Sequence, residues 1–177
     1  CAPAARVVLP IVQPCLLAQH TPWANLYGVL NAVAYKGSPV QSILCTGPGA
    51  GDGPTASAVL ADIIDIARGH RAYPFGKPAA SLLDSDIQKP VDAGRYYLRM
   101  MVKDEIGVLN TVTAILRDHD ISVESMLQKG RSDNAPVHLV FTTHSTDHAC
   151  VNAACASLSG EKFVAGDILA LPIMDNV

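Results

Sequence analysis

The sequence has few aromatic residues, no marked excess of either charge and no long apolar run, and each shortage excludes a class of function. Aromatics are 5% of the 177 residues, with Trp23 the single tryptophan. A stacking platform for single-stranded nucleic acid needs several such faces. Thirteen Lys and Arg stand against sixteen Asp and Glu, a net charge of −3. No basic field therefore exists to hold nucleic acid or an anionic membrane surface. Apolar-rich stretches such as 6–12 and 63–67 fall far short of the roughly 20 residues of a membrane span. The opening Cys1-Ala2-Pro3-Ala4-Ala5 lacks the basic flank and apolar stretch of a secretory signal, so a cytoplasmic protein is expected. It also lacks an initiator methionine, as a piece of a longer protein or a processed chain would. The five cysteines are an odd number without a Cys-x2-Cys knuckle, and Cys150 and Cys155 do not share a helix face. Buried, reduced thiols are expected, and no metal.

What is present divides in two. At 49% hydrophobic the chain can build one large domain or two small ones. Between 69 and 94, Pro74, Gly76, Pro78 and Pro90 flank Asp84-Ser85-Asp86. Such a stretch disfavours a long helix or central strand and reads as a linker, with one helical turn near 79–83. Before it, the apolar residues of 6–17, interrupted by Pro10 and Pro14, read as edge strands. Strands follow at 29–35 and 40–46 across the turn Gly37-Ser38-Pro39. Over 54–68 the period changes: Ala56, Val59, Leu60, Ile63, Ile64 and Ala67 recur at helical steps. The apolar face of this helix must be covered by another protomer, by the linker or by a neighbouring molecule in a crystal, and a solvated face would count against the assigned domain packing. After the linker the pattern gives strand 96–102, helix 108–118, with Leu109, Val112, Ile115 and Leu116 on one side, and strands 121–129 and 137–143. Helix 147–158 and strand 163–173 complete βαββαβ, the ferredoxin-like split unit.

Two strand-to-helix turns concentrate the chemistry. In the first, Gly47-Pro48-Gly49-Ala50-Gly51-Asp52-Gly53-Pro54-Thr55 carries four glycines in seven residues. Glycine permits close approach of main chain to a ligand, and a helix start offers unpaired N–H groups to an electron-rich one. No Gly-Lys-Ser/Thr follows, and the dinucleotide fingerprint is not matched; a tight structural turn is the competing reading. In the second, Lys103-Asp104-Glu105-Ile106-Gly107-Val108-Leu109 ends a strand and opens a helix. Asp104 is placed to cap it, and amides at Gly107, Val108 and Leu109 to receive a carboxylate, with an ordinary capped helix as the alternative.

The segment Gly28-Val29-Leu30-Asn31-Ala32-Val33, then Gly47-Pro48-Gly49-Ala50-Gly51, then Pro54-Thr55-Ala56-Ser57-Ala58-Val59 with Asp62 resembles the closing portion of bacterial homoserine dehydrogenases over about 7–68. That family reduces L-aspartate 4-semialdehyde to L-homoserine with NAD(P)H. The resemblance implies a glycine loop beside the nicotinamide end of NAD or NADP, with Gly51 the first main-chain contact and Gly49, Ala50 and Thr55 behind it. Asp52 stands where a small residue is expected. The lysine acid/base, the acidic substrate-binding residues and the dinucleotide fold lie upstream of the matched region, and neither Lys36 nor Lys77 has a motif that would replace them. No catalytic residue is assigned, and no cofactor is expected on this chain alone.

The second turn, with Ile121-Ser122-Val123-Glu124-Ser125 and the βαββαβ order, resembles an ACT domain over about 95–175, and Gln128-Lys129-Gly130 matches the homoserine dehydrogenase version. ACT domains pair and bind small amino acids between protomers. The resemblance implies an effector site at Asp104, Gly107, Val108 and Leu109, with Ser122 reaching from the facing subunit, L-threonine as effector, and a homo-oligomer built through this domain. Ile106 replaces the family's usual proline.

The expected class is α+β: residues 1–68 from the end of a catalytic α/β region, a linker at 69–93, and a ferredoxin-like βαββαβ ACT domain at 94–177. Two functions stay open: an NAD(P)-dependent oxidoreductase acting on a small-molecule substrate, or a non-enzymatic amino-acid-binding regulatory module. His144 and His148, four apart, lack a third ligand, and Ser57 lacks the frame of a nucleophile elbow.

Overall fold

A computed structural model describes residues 7–8, 10–70, 72–82, 86–87, 93–130 and 135–174. Residues 71, 83–85 and 88–92 of the expected linker and the expected polar turn at 131–134 lie outside the described residues. In chain order come β1 (Val7–Val8), β2 (Leu16–Leu17), a 3-10 turn at Pro22–Asn25, β3 (Leu30–Gly37), β4 (Gln41–Pro48) and α1 (Asp52–Ala67). A 3-10 turn at Ala79–Ser81 and β5 (Asp86–Ile87) follow. Then come β6 (Ala93–Val102), α2 (Val108–Asp118), β7 (Val123–Lys129), β8 (Val137–Thr143), β9 (Thr146–Asp147), α3 (His148–Ser159) and β10 (Leu169–Met174). Two compact units result: one centred on Gln19–Asp86, the other formed by Val8–Ala18 with Ile87–Asn176.

The second unit is a ferredoxin-like sheet, ordered β2-β10-β6-β8-β7, with two helices. Its core follows strand alternation: Tyr96, Leu98, Met100 and Val102 on β6 and Val137, Leu139 and Phe141 on β8 are buried. Against them pack Val112 and Leu116 of α2 and Val151, Ala154 and Leu158 of α3, at three- and four-residue steps. Each buried Val, Leu, Met or Phe among them contributes about 1.5–3 kcal/mol by leaving water. Leu109, expected on the same stripe, is 39% exposed; Val108 takes the core position one residue earlier. The buried hydroxyl of Thr143 accepts the backbone N–H of Tyr96 at 3.0 Å. The sheet surface away from the helices carries an Arg95–Glu124 ion pair, with Thr142 donating to the same carboxylate.

Two details depart from the sequence pattern. The last strand begins at Leu169, not at 163, because Gly166 turns the chain at φ +78°; Val164 makes an isolated bridge to Val102 instead. The pair Leu16–Leu17, expected among the catalytic-region strands, instead lies parallel to Ile173 and Met174 as an edge strand of the second unit's sheet. Two residues are too few to announce a distant partner.

In the first unit, β3 and β4 form an antiparallel hairpin from Leu30↔Pro48 to Gly37↔Gln41, and α1 follows. No residue of this 16-residue helix is buried; Leu60 and Ile63 are 56% and 55% exposed. Neither the hairpin nor the described linker residues cover its apolar side. The face is solvated, the outcome that counts against the assigned domain packing. Cys45 on β4 is exposed, whereas burial was expected; Cys15, Cys150 and Cys155 are half-buried, and all four are free thiols.

Candidate functional site

The first turn is held by the hairpin beneath it. The N–H of Gly49 donates to the Val29 carbonyl at 2.7 Å, continuing the β3–β4 ladder one residue past its end. Gly49 is therefore anchored and has no amide left for a ligand. The next two amides, Ala50 and Gly51, make no backbone hydrogen bond to a described residue. Gly51 is the N-cap of α1 at φ +125°, a conformation that side-chain-bearing residues rarely adopt. A methyl group there would also lie 3.3 Å from Pro54 Cδ. Thr55 turns inward to the helix: its hydroxyl and its N–H both donate to the Gly51 carbonyl, at 2.6 and 3.1 Å.

Asp52 is the first residue of α1. Its carboxylate accepts the N–H of Gly53 at 2.7 Å, which removes one free donor and leaves a negative charge at the helix start. A second anion there would be repelled, whereas an uncharged polar group meets only the amides of Ala50 and Gly51. The loop thus suits a polar group without negative charge better than a phosphate. The structure places Gly49, Ala50, Gly51 and Thr55 together on this one turn and adds Asn31, whose carboxamide lies against Gly49. The sequence motif contained Asn31, but only the β3–β4 register, which sets it opposite Gly47, shows what it reaches.

The second turn borders a small, partly open cavity of about 40 Å³ lined by Val102, Lys103, Asp104, Glu105, Val108, Leu109, Gln128 and Leu139. Gly107, at φ +93°, is the N-cap of α2, and no side chain caps that helix. Asp104, expected to do so, instead accepts a hydrogen bond from Gln128 Nε2 at 3.3 Å. The Val108 N–H donates to the Glu105 carbonyl at 3.3 Å, while those of Gly107 and Leu109 have no backbone partner among the described residues. Asp104, Val108 and Leu109 are thus brought together at the cavity, with Gly107 beside them. Ser122 is not: it precedes the far end of β7, and its carbonyl accepts the His144 N–H at 2.9 Å. Six residue steps along extended chain separate it from Gln128, about 20 Å. Gln128 was missed as a lining residue; its pairing with buried Leu139 puts it on the helix side of the sheet. His148 is occupied, its Nδ1 lying 3.1 Å from the hydroxyl of Tyr96.

Comparison with known proteins agrees with this division. The family described as homoserine dehydrogenase matches residues 4–64, and the ACT domain family matches 96–149. The homoserine dehydrogenase of Neisseria gonorrhoeae is 39% identical over 155 residues, which cover 83% of this chain and 35% of that protein. The Pseudomonas aeruginosa homoserine dehydrogenase is 34% identical over 170 residues, covering 92% of this chain and 39% of that protein. The crystal structure of a homoserine dehydrogenase from Thiobacillus denitrificans is similar with a TM-score of 0.76 and 36% identity, over 92% of this chain and 38% of that one. The chain thus spans little more than a third of the length of the relatives it matches. The glycine turn, the ferredoxin-like unit and these likenesses place the chain in the homoserine dehydrogenase family, as its C-terminal part: the end of the catalytic region followed by an ACT domain.

Proposed function

We propose that the protein to which this chain belongs is an NAD(P)-dependent homoserine dehydrogenase of the cytoplasm that interconverts L-aspartate 4-semialdehyde and L-homoserine in threonine and methionine biosynthesis. The observation that carries this reading is the pair of free amides at Ala50 and Gly51, on a motif long enough to be specific and directly ahead of α1. The nicotinamide, when bound, supplies the hydride. The chain's own part is to bind and orient: Gly49 anchors the loop to β3, Gly51 makes the turn, and Thr55 ties that turn to the helix. Asp52 steers phosphates away, so the nicotinamide end, which carries no negative charge, is the part of the nucleotide received here. The proposed domains are 1–68, with 69–93 as linker and 94–177 as the ACT domain. The exposed face of α1 is assigned to contact with the rest of the catalytic region or a second protomer.

The ACT domain is proposed to assemble subunits and to take L-threonine at the cavity beside Asp104. Threonine's carboxylate would meet the free amides of Gly107 and Leu109, with Ser122 supplied from a facing protomer because its own lies too far away. Full-length protein is expected to oxidise NADPH with the semialdehyde, and this chain alone to show no turnover. Turnover by the chain alone would place the active site wrongly. Titration calorimetry of threonine into the chain tests the sensing role; no heat at millimolar ligand would remove it.

A further inference from the structure

The identity of residue 49 is explained by Asn31 and not by a positive φ. Gly49 is absent from the glycines whose backbone lies in the left-handed region. A methyl group built on it would overlap Asn31 Nδ2, lie 2.5 Å from Cγ and sit 3.1 Å from Oδ1. Such a collision with a short side chain is relieved by rotation about χ1, which would move the carboxamide away from the loop. Glycine at 49 therefore keeps Asn31 where it is. Asn31 is exposed, and its carboxamide has no hydrogen bond to a described residue, so its donors and acceptor are open to a ligand at the loop that carries Ala50 and Gly51.

We propose that Asn31 is a ligand-contacting residue of the glycine loop, taking an uncharged polar group of the nucleotide, and that Gly49 serves to leave room for its carboxamide. A carboxamide both donates and accepts, which matches another amide better than a phosphate, an acceptor alone. The idea rests on reading the loop as a nucleotide contact and adds the side chain that reads the nucleotide.

The test uses a full-length homoserine dehydrogenase containing this chain, with Asn31→Ala, Gly49→Ala, the double variant, Asn31→Asp and Gly51→Ala. Loss of one net hydrogen bond is expected to raise the nucleotide KM about fivefold in either single variant, more than it changes kcat. The double variant should be no worse than the weaker single, since both remove the same carboxamide. Asn31→Asp keeps the shape but loses the N–H donors, and should also raise the nucleotide KM; a packing role alone would leave it near wild type. Multiplying effects in the double variant, or an unchanged KM in Asn31→Ala while Gly51→Ala raises it, overturns the proposal and leaves the nucleotide reading standing. If no loop variant, Gly51→Ala included, moves the nucleotide KM, the nucleotide reading itself falls.

Discussion

Cys155 lies half-buried on α3 against the core of the second unit, and loss of water pushes its thiol above the ordinary value of 9.0. Cys45 on β4 is exposed. The thiolate is the reactive form, so a raised value leaves less of it at a given pH and burial restricts access further. At about pH 8, iodoacetamide is expected to label Cys45 to completion while Cys155 stays mostly unmodified, read by peptide mass spectrometry. Equal rates would contradict the placement of α3. The neutral thiol's contribution to stability is fully present below pH 9.0 and lost as pH rises through the raised value, so neutral solutions show none of that loss. Both glycine turns were legible in the sequence, because a run such as Gly47-Pro48-Gly49-Ala50-Gly51 announces close main-chain approach. The partners of those turns were less so. Asn31 and Gln128 are ordinary strand residues until pairing registers set them opposite Gly47 and Leu139, which brings the Asn31 carboxamide against Gly49. Asp104 had the right spacing for a cap, yet the positive φ of Gly107 lets α2 start without one.

At the scale of elements, α1 and α2 both show apolar residues at helical steps, and only one of them is packed. Val112 and Leu116 of α2 are fully buried, whereas Ile63 of α1 is 55% exposed. Periodicity thus revealed that each helix has a face, but not whether this chain supplies the cover. Leu116→Ala removes buried carbons and leaves a cavity, an expected loss of about 2–5 kcal/mol. Ile63→Ala in the same chain should stay within about 0.5 kcal/mol, as surface changes do. Urea unfolding monitored by circular dichroism separates the two, provided the slopes are unchanged. A comparable loss for Ile63→Ala would mean that α1 is packed after all. Strand limits failed where glycine intervened: the apolar pattern of 163–173 ran through Gly166, whose φ of +78° confines the strand to Leu169–Met174.

For the whole chain, the two units differ in what protects their backbone. In the second, β6 and β8 are central strands and both helices bury residues in one shared core, so their amides open only with unfolding of that unit. Strand β2 is a two-residue edge held by β10 alone, a pairing that local pattern could not foretell because its partner lies more than 150 residues onward. In the first unit, α1 has no buried residue, so its hydrogen bonds open locally at little cost. Hydrogen exchange followed by mass spectrometry should find peptides of β6, β8, α2 and α3 slowest, β2 intermediate and α1 fast. The same experiment on full-length protein checks the cover proposed for α1: its amides should become slow there while those of α2 change little. Slow exchange of α1 in this chain alone would show its apolar side already buried, and unchanged fast exchange in the full-length protein would remove the catalytic region as its cover.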